Sequence, residues 1–252
     1  MASDKQVILV TGASSGVGYD TAYALTATTP TNHVIMGVRN LAKGETCLAE
    51  LQARKPKGIL SLLELDVTSD KSVDAAAKKL EADFGRVDVL INNAGIAIKA
   101  PHATRPDLRV IFETNVFGPT MLTLALKALL QRSSAPRVIN VTSELGSIAS
   151  RADPTSSSYA VGQNPYRMSK AALNMLTVCQ QKELGEFGCK VWAFCPGFVV
   201  TNLTGEGDRQ WRKDLGGESS ETSAQGIVEI VEGKRDGEVG GFVTKYGKAF
   251  PW

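Results

Sequence analysis

Tyr166 and Lys170 lie four residues apart, directly after Asn164-Pro165. Asn followed by Pro reads as a helix start, with Asn as the cap and Pro at the first helical position. Residues four apart then share one face of the opening turns. A phenol with a pKa of about 10 is a poor acid–base group at neutral pH, but an adjacent ammonium stabilises its ionised form and lowers that pKa. The pairing suits proton transfer at a reacting oxygen. Tyr159 has Gln163 four residues on and lacks the cation, so it is set aside as the reacting tyrosine.

Asn115 continues an apolar helical face marked by Leu108, Ile111 and Phe112. Pro119, four residues later, has no N–H, so the Asn115 carbonyl loses its helical bond and is left able to hold a water. The stretch Thr11-Gly12-Ala13-Ser14-Ser15-Gly16-Val17-Gly18 joins an apolar run to a helical pattern. Glycines there let the backbone turn tightly and approach a pyrophosphate, whose charge a helix N-terminus favours. After the second apolar run stand Val38 and Arg39, with no carboxylate. A carboxylate at that point would accept from a ribose 2′-hydroxyl and repel a 2′-phosphate. Arg39 would pair with the phosphate, which favours NADP(H) over NAD(H).

Short Val/Ile/Leu-rich runs predict strands at Gln6–Val10, His33–Val38, Ile59–Leu65, Val87–Ile91, Arg137–Thr142 and Lys190–Cys195, with a weaker seventh at Gly241–Lys245. They are nearly continuous in apolar residues, as in strands buried on both faces of a parallel sheet. Helical patterns fall between them, at Val17–Thr28, Leu41–Arg54, Lys71–Phe84, Asp107–Gln131, Pro165–Phe187 and Thr222–Glu232. The alternation implies a single doubly wound α/β domain over residues 1–252, in which ligands bind beyond the carboxyl ends of the strands. Those ends carry Asp66-Val67, Asn93-Ala94-Gly95, Ser143 and Pro196-Gly197-Phe198-Val199-Val200-Thr201, which together would line one crevice. Residues 202–221 have no clear periodicity and read as a surface loop or a lid.

With these motifs in order along nearly the whole chain, the sequence resembles the short-chain dehydrogenase/reductase family in its compact form. The resemblance implies a Rossmann-type, seven-stranded parallel sheet flanked by helices, and a catalytic set mapping onto Asn115, Ser143, Tyr166 and Lys170. Ser143 would orient the substrate oxygen, Tyr166 would exchange the proton, and Lys170 would hold the cofactor ribose. A water at the Asn115 carbonyl would extend a proton relay. It further implies Asp66 near the adenine, Asn93 near the adenosine ribose, and Val199 and Thr201 near the nicotinamide amide. Arg39 matches the basic position of NADP(H)-preferring members. Ser143 and Tyr166 are separated by more residues than is usual in the family. The Ser-rich residues 147–163 that fill the gap are similar to an insertion of the carbonyl-reductase-like branch, and they would border the substrate entrance and disturb the helix-to-helix dimer contact. The implied reaction is hydride transfer between a nicotinamide and a ketone, aldehyde or secondary alcohol. A non-catalytic NADP(H) sensor on the same fold is the alternative, but it has no chemical need for the tyrosine and lysine together.

Composition narrows the setting. The 252 residues carry 28 Lys and Arg against 26 Asp and Glu, a near-balance that gives no support for nucleic acid as a partner. No apolar run is long enough to cross a bilayer, and the N-terminus lacks the pattern of a secretory signal. Two His and four Cys without CxxC spacing argue against a metal site and fit reduced thiols, so a cytoplasmic protein is expected. The expected partner is a small carbonyl or alcohol, with a homo-oligomer or a monomer both open.

Overall fold

The computed structural model describes residues 5–27, 29–98, 103–205 and 207–252. Seven strands form one parallel sheet: β1 Gln6–Thr11, β2 Asn32–Val38, β3 Ile59–Glu64, β4 Val89–Asn92, β5 Arg137–Val141, β6 Lys190–Cys195 and β7 Phe242–Thr244. Their spatial order is β3-β2-β1-β4-β5-β6-β7. The chain therefore builds outward in one direction from β1, returns, and builds outward in the other. The switch falls between β1 and β4, where Val10 pairs with both Met36 and Ile91.

Side-chain alternation along the strands assigns each helix to a face. Ile8, Val10, Val34, Met36, Ile139 and Phe194 pack with α1 (Gly16–Ala27), α2 (Leu41–Ala53) and α9 (Ser220–Val231). Val7, Leu9, Leu63, Leu90, Val138 and Val191 pack with α3 (Asp70–Phe84), α5 (Gly118–Gln131) and α7 (Asn164–Gly185). Each such aliphatic side chain, fully buried, stabilises by about 1.5–3 kcal/mol. A slip of one residue would turn a whole strand's set to the wrong layer. Caps fix where helices begin. Asn40 accepts from Lys43 N–H, Ser69 from Ser72 N–H, and Thr104 forms a reciprocal box with Asp107 at the start of α4 (Arg105–Phe112).

The helix expected over Asp107–Gln131 is α4 and α5 joined by a π turn at Glu113–Phe117, where the Gly118 N–H reaches back to the Glu113 carbonyl. The turn lies just before the missing N–H of Pro119, which is where an ordinary ladder could not continue. Asn164 is the first residue of α7 rather than its cap. Gln163 precedes it in the left-handed region with no side-chain cap bond. The expected loop over 202–221 contains α8 (Asp208–Asp214), and α9 begins at Ser220 after a Ser219 cap. The insertion before Tyr166 also holds a short helix, α6 (Ile148–Ala152). β4 starts at Val89, two residues later than expected; Asp88 before it accepts from Val7 N–H through its side chain. Thr28, the expected end of the first helix, lies outside the described residues.

Candidate active site

The carboxyl ends of β1 and β4 meet as one hydrogen-bonded clamp. The Thr11 hydroxyl accepts from the N–H groups of Asn93 (3.0 Å) and Ala94 (2.9 Å). In return, Asn93 Nδ2 donates to the carbonyls of Thr11 (2.8 Å) and Gly12 (3.3 Å). Gly12 takes φ +64°, and a Cβ there would stand 2.9 Å from Ala94 Cα; a Cβ on Gly18 would stand 2.4 Å from Asn93 Nδ2. The turn thus needs glycine for contact between strand ends, beyond any ligand. α1 starts at Gly16 with no acidic residue in its first turn, so its N-terminal N–H groups make a donor set. That donor set fits a dinucleotide pyrophosphate. Ser14, Ser15 and Gly16 also line a polar cavity of about 290 Å³ shared with Tyr19, Asp20, Glu50 and Arg209.

The other expected cofactor residues lie along the same edge. Arg39 is exposed at the end of β2, immediately before the α2 cap. Asp66 follows β3, with Oδ1 accepting from the N–H and hydroxyl of Thr68. Val67 packs so closely on α5 that a Cβ on Gly118 would meet it at 2.9 Å. A Cβ on Gly95 would lie 3.3 Å from Asn115 Oδ1 and 3.6 Å from Lys170 Nζ, which ties the β4 end to the reacting groups. Past β6, Gly197 adopts φ +80° and Thr201 Cγ2 lies 3.0 Å from the Cβ position of Gly16. The Pro196 carbonyl accepts from the Ser223 hydroxyl, and the Val199 carbonyl from Arg212.

Asn115, Ser143, Tyr166 and Lys170 come together where β4 and β5 end. Tyr166 and Lys170, both buried, stand on one face of α7, with Lys170 Nζ 5.6 Å from the phenol ring centroid. Ser143 follows β5, and its hydroxyl lies next to the Tyr166 phenol and accepts from Leu145 N–H at 3.2 Å. Asn115 is fully buried and pairs with Ile96 through both its amide atoms, Oδ1 accepting from N–H and Nδ2 donating to the carbonyl, each at 2.9 Å. It also donates to the Ser169 hydroxyl at 3.0 Å, so it staples the β4 extension to α7. Tyr159, by contrast, lies exposed beside Arg151.

Electrostatics depart from expectation here. Burial pushes the Tyr166 phenol above its ordinary pKa, with the Cys195 thiol adding to the rise, while the nearby Ser143 hydroxyl and the field of Arg212 oppose it. Lys170 Nζ donates to the Val141 carbonyl at 2.9 Å, and burial brings the ammonium down to about 8. Desolvation therefore outweighs the expected depression of the tyrosine by the lysine.

Sequence reasoning missed two buried arginines. Arg167, beside Tyr166, donates to the carbonyls of Val161 (3.0 Å), Gly162 (3.2 Å), Leu145 (3.3 Å) and Ser158. It holds the 147–163 insertion onto α7. Arg212 of α8 donates to the Val199 carbonyl (3.3 Å) and the Thr204 hydroxyl (3.2 Å). Arg167 in an expected helix and Arg212 in an expected loop both read as solvated charge in sequence, and no local signal separates them from their exposed neighbours. Trp211, whose role the sequence leaves open between packing and substrate contact, packs edge-to-face on Phe198.

Among the described residues no helix is long and apolar enough to cross a membrane, and no cluster of His, Cys, Asp and Glu could hold a metal ion. The family model for short chain dehydrogenases matches residues 6–212. A short-chain dehydrogenase/reductase of Talaromyces stipitatus is 34% identical over 266 residues, covering 99% of each chain. The structure of an NADPH-bound carbonyl reductase from chicken fatty liver superposes with a TM-score of 0.83 at 29% identity, covering 98% of this chain and 99% of that one. The carbonyl reductase Sniffer of D. melanogaster gives a TM-score of 0.81 at 26% identity, over 98% and 100% of the two chains. A nucleotide-ready glycine turn, a buried tyrosine–lysine pair and these likenesses converge: the chain belongs to the short-chain dehydrogenase family of oxidoreductases, which bind a nicotinamide cofactor and act on small molecules.

Proposed function

We propose that the protein is an NADP(H)-dependent reductase of ketones or aldehydes, with Tyr166 as the proton donor. The observation that carries this reading is the buried pair Tyr166 and Lys170 on one face of α7 at the strand ends, with Ser143 next to the phenol. Bound nicotinamide would supply or accept the hydride. Ser143 orients the carbonyl oxygen, and the Tyr166 hydroxyl delivers the proton to that oxygen as charge develops on it. A phenol held above its ordinary pKa stays protonated through the physiological range, which suits reduction. Lys170 would hold the cofactor ribose and return a proton to the tyrosine, with a water at the Asn115 carbonyl linking Lys170 to solvent.

For the cofactor, the proposal places the pyrophosphate over the 12–18 turn, the adenine near Asp66 and Val67, the adenosine ribose near Asn93, Ala94 and Gly95, and the nicotinamide beside Pro196, Gly197, Val199 and Thr201. Arg39 reads the 2′-phosphate. Support for NADP(H) comes from the missing carboxylate after β2 and from the NADPH in the chicken-liver structure. The four unpaired cysteines, one of them exposed, fit a reducing, cytoplasmic setting. Exposed Val110, Phe117, Met121 and Leu124 on the α4–α5 helix, with Met168, Met175 and Val178 on α7, would support a homo-oligomer. The test is to follow NADPH and NADH oxidation against a panel of ketones and aldehydes, with Arg39→Ala in parallel. Turnover that favours NADPH, and loses about tenfold or more of that preference in Arg39→Ala, is expected. Tight NADPH binding with no carbonyl reduced would overturn the reductase.

A further inference from the structure

α8 is a helix of mostly exposed residues whose buried anchor is an arginine. Arg212 is only 7% exposed, while its neighbours Arg209, Trp211 and Lys213 all face solvent. Pinning so short a helix to a loop needs no charge, since an apolar side chain would serve without the desolvation cost of a buried cation. Among the described residues the guanidinium nevertheless makes two hydrogen bonds, both long and both to neutral oxygens, of Val199 and Thr204. Among those residues its buried Nε has no hydrogen-bond partner and no carboxylate forms an ion pair with it. Asp208, one turn earlier, favours the charged form through its field.

The location gives this under-used cation a purpose. Val199 belongs to the segment after β6 that meets the glycine turn through Thr201. The guanidinium sits over the Phe198 ring, 5.4 Å from its centroid, and Phe198 and Trp211 form a half-exposed aromatic pair beside it. By its bond to the Val199 carbonyl and its place over Phe198, the cation sits on the strand-end segment that reaches the glycine turn, and its field acts on Tyr166. From the opposite side, the Ala97 N–H donates to the Leu203 carbonyl, closing the loop ends over the crevice.

We propose that Arg212 recognises a carboxylate on the substrate, so that the carbonyl compounds this site prefers are keto acids or formyl acids with an apolar body set against Phe198 and Trp211. This rests on the reductase reading above and adds the substrate class. A carboxylate replaces two long bonds to neutral oxygens with a charge-assisted pair on the planar fork, and charge-assisted pairs are the stronger kind.

The test compares each acid with its own methyl ester: levulinate with methyl levulinate, and 4-formylbenzoate with methyl 4-formylbenzoate, using NADPH and the intact protein. Wild type should prefer the acid in kcat/KM by about tenfold or more, the scale of a charged hydrogen bond. Arg212→Met should collapse the acid-over-ester ratio chiefly through the KM of the acid, and Arg212→Lys should restore part of it. Equal use of acid and ester by wild type would overturn the proposal without needing any variant. A loss in Arg212→Met that falls equally on acid and ester, or falls on kcat, would make Arg212 a pin for α8 and equally overturn it. If neutral ketones are reduced and acids are no better, only this inference falls. If no carbonyl is reduced at all, the reductase reading fails and takes this inference with it.

Discussion

On the β1–β4 side, the crevice is walled by two closely packed strand ends. The Thr11 hydroxyl and the Asn93 side-chain amide join them with short neutral hydrogen bonds to backbone, and Gly12 and Gly18 leave no room for a Cβ beside those bonds. On the other side, the 144–163 and 198–219 segments have little regular structure and are gathered by two buried arginines, Arg167 and Arg212, which bond backbone carbonyls across gaps in sequence. The first wall is close-packed around two short side chains; the second is held by a few long ones. A fixed wall suits the invariant cofactor, and a wall of loops can change shape with little effect on the sheet. Different substitutions should therefore break them in different ways.

The largest stability loss is expected from Arg167→Met. Its removal leaves carbonyls of Leu145, Ser158, Val161 and Gly162 without their donor, and about 3 kcal/mol of stability should go, a fall in Tm of about 6–12 °C by calorimetry. Gly18→Ala should cost less in stability, about 1–3 kcal/mol, but should weaken NADPH binding by about 10- to 100-fold in a fluorescence titration, since its Cβ meets both Asn93 Nδ2 and the Gly12 carbonyl. Equal damage to cofactor binding by both variants would erase the distinction between the walls.

The pH dependence of stability probes the junction of the two walls. Lys170 titrates near 8 when folded and near 10.5 when free, so between those values the unfolded chain holds more protons. Stability from this group therefore rises with pH across that window, and below pH 8 its penalty is present in full. Tyr166, raised when folded, works against stability only above pH 10, where the unfolded phenol ionises first. Denaturant unfolding from pH 8 to 9.5 should show wild type gaining about 1–2 kcal/mol relative to Lys170→Met. An identical slope in both would refute the buried, depressed ammonium. The smallest effect belongs to Tyr159→Phe, an exposed position, where NADPH-linked turnover should stay within about twofold of wild type.

What could be read from sequence follows from the range of the forces involved. The glycine turn, the Tyr166–Lys170 pair and the strand cores are local patterns of period, backbone freedom and capping, and all seven strands lie within two residues of their expected limits. The π turn needed knowledge of how α4 and α5 pack, although Pro119 marked where the ladder must fail. Buried polar contacts inside the sheet were hidden too. Asn140 bonds Asn92, Thr177 and Gln180, residues far apart in sequence, within a strand that reads as an apolar run. Arg167 and Arg212 were hidden for the same reason, since nearly all their partners are carbonyls, which every residue carries.

The account stands or falls on the Tyr166 hydroxyl. The direct measurement is single-turnover oxidation of saturating NADPH by wild type and Tyr166→Phe with one carbonyl substrate, alongside NADPH binding to both. The account predicts near-equal NADPH binding and a rate about 10²- to 10⁴-fold lower in the variant, the range that a positioned proton donor supplies. Hydride transfer at the wild-type rate from Tyr166→Phe would show that the proton comes from elsewhere and contradict the proposed mechanism.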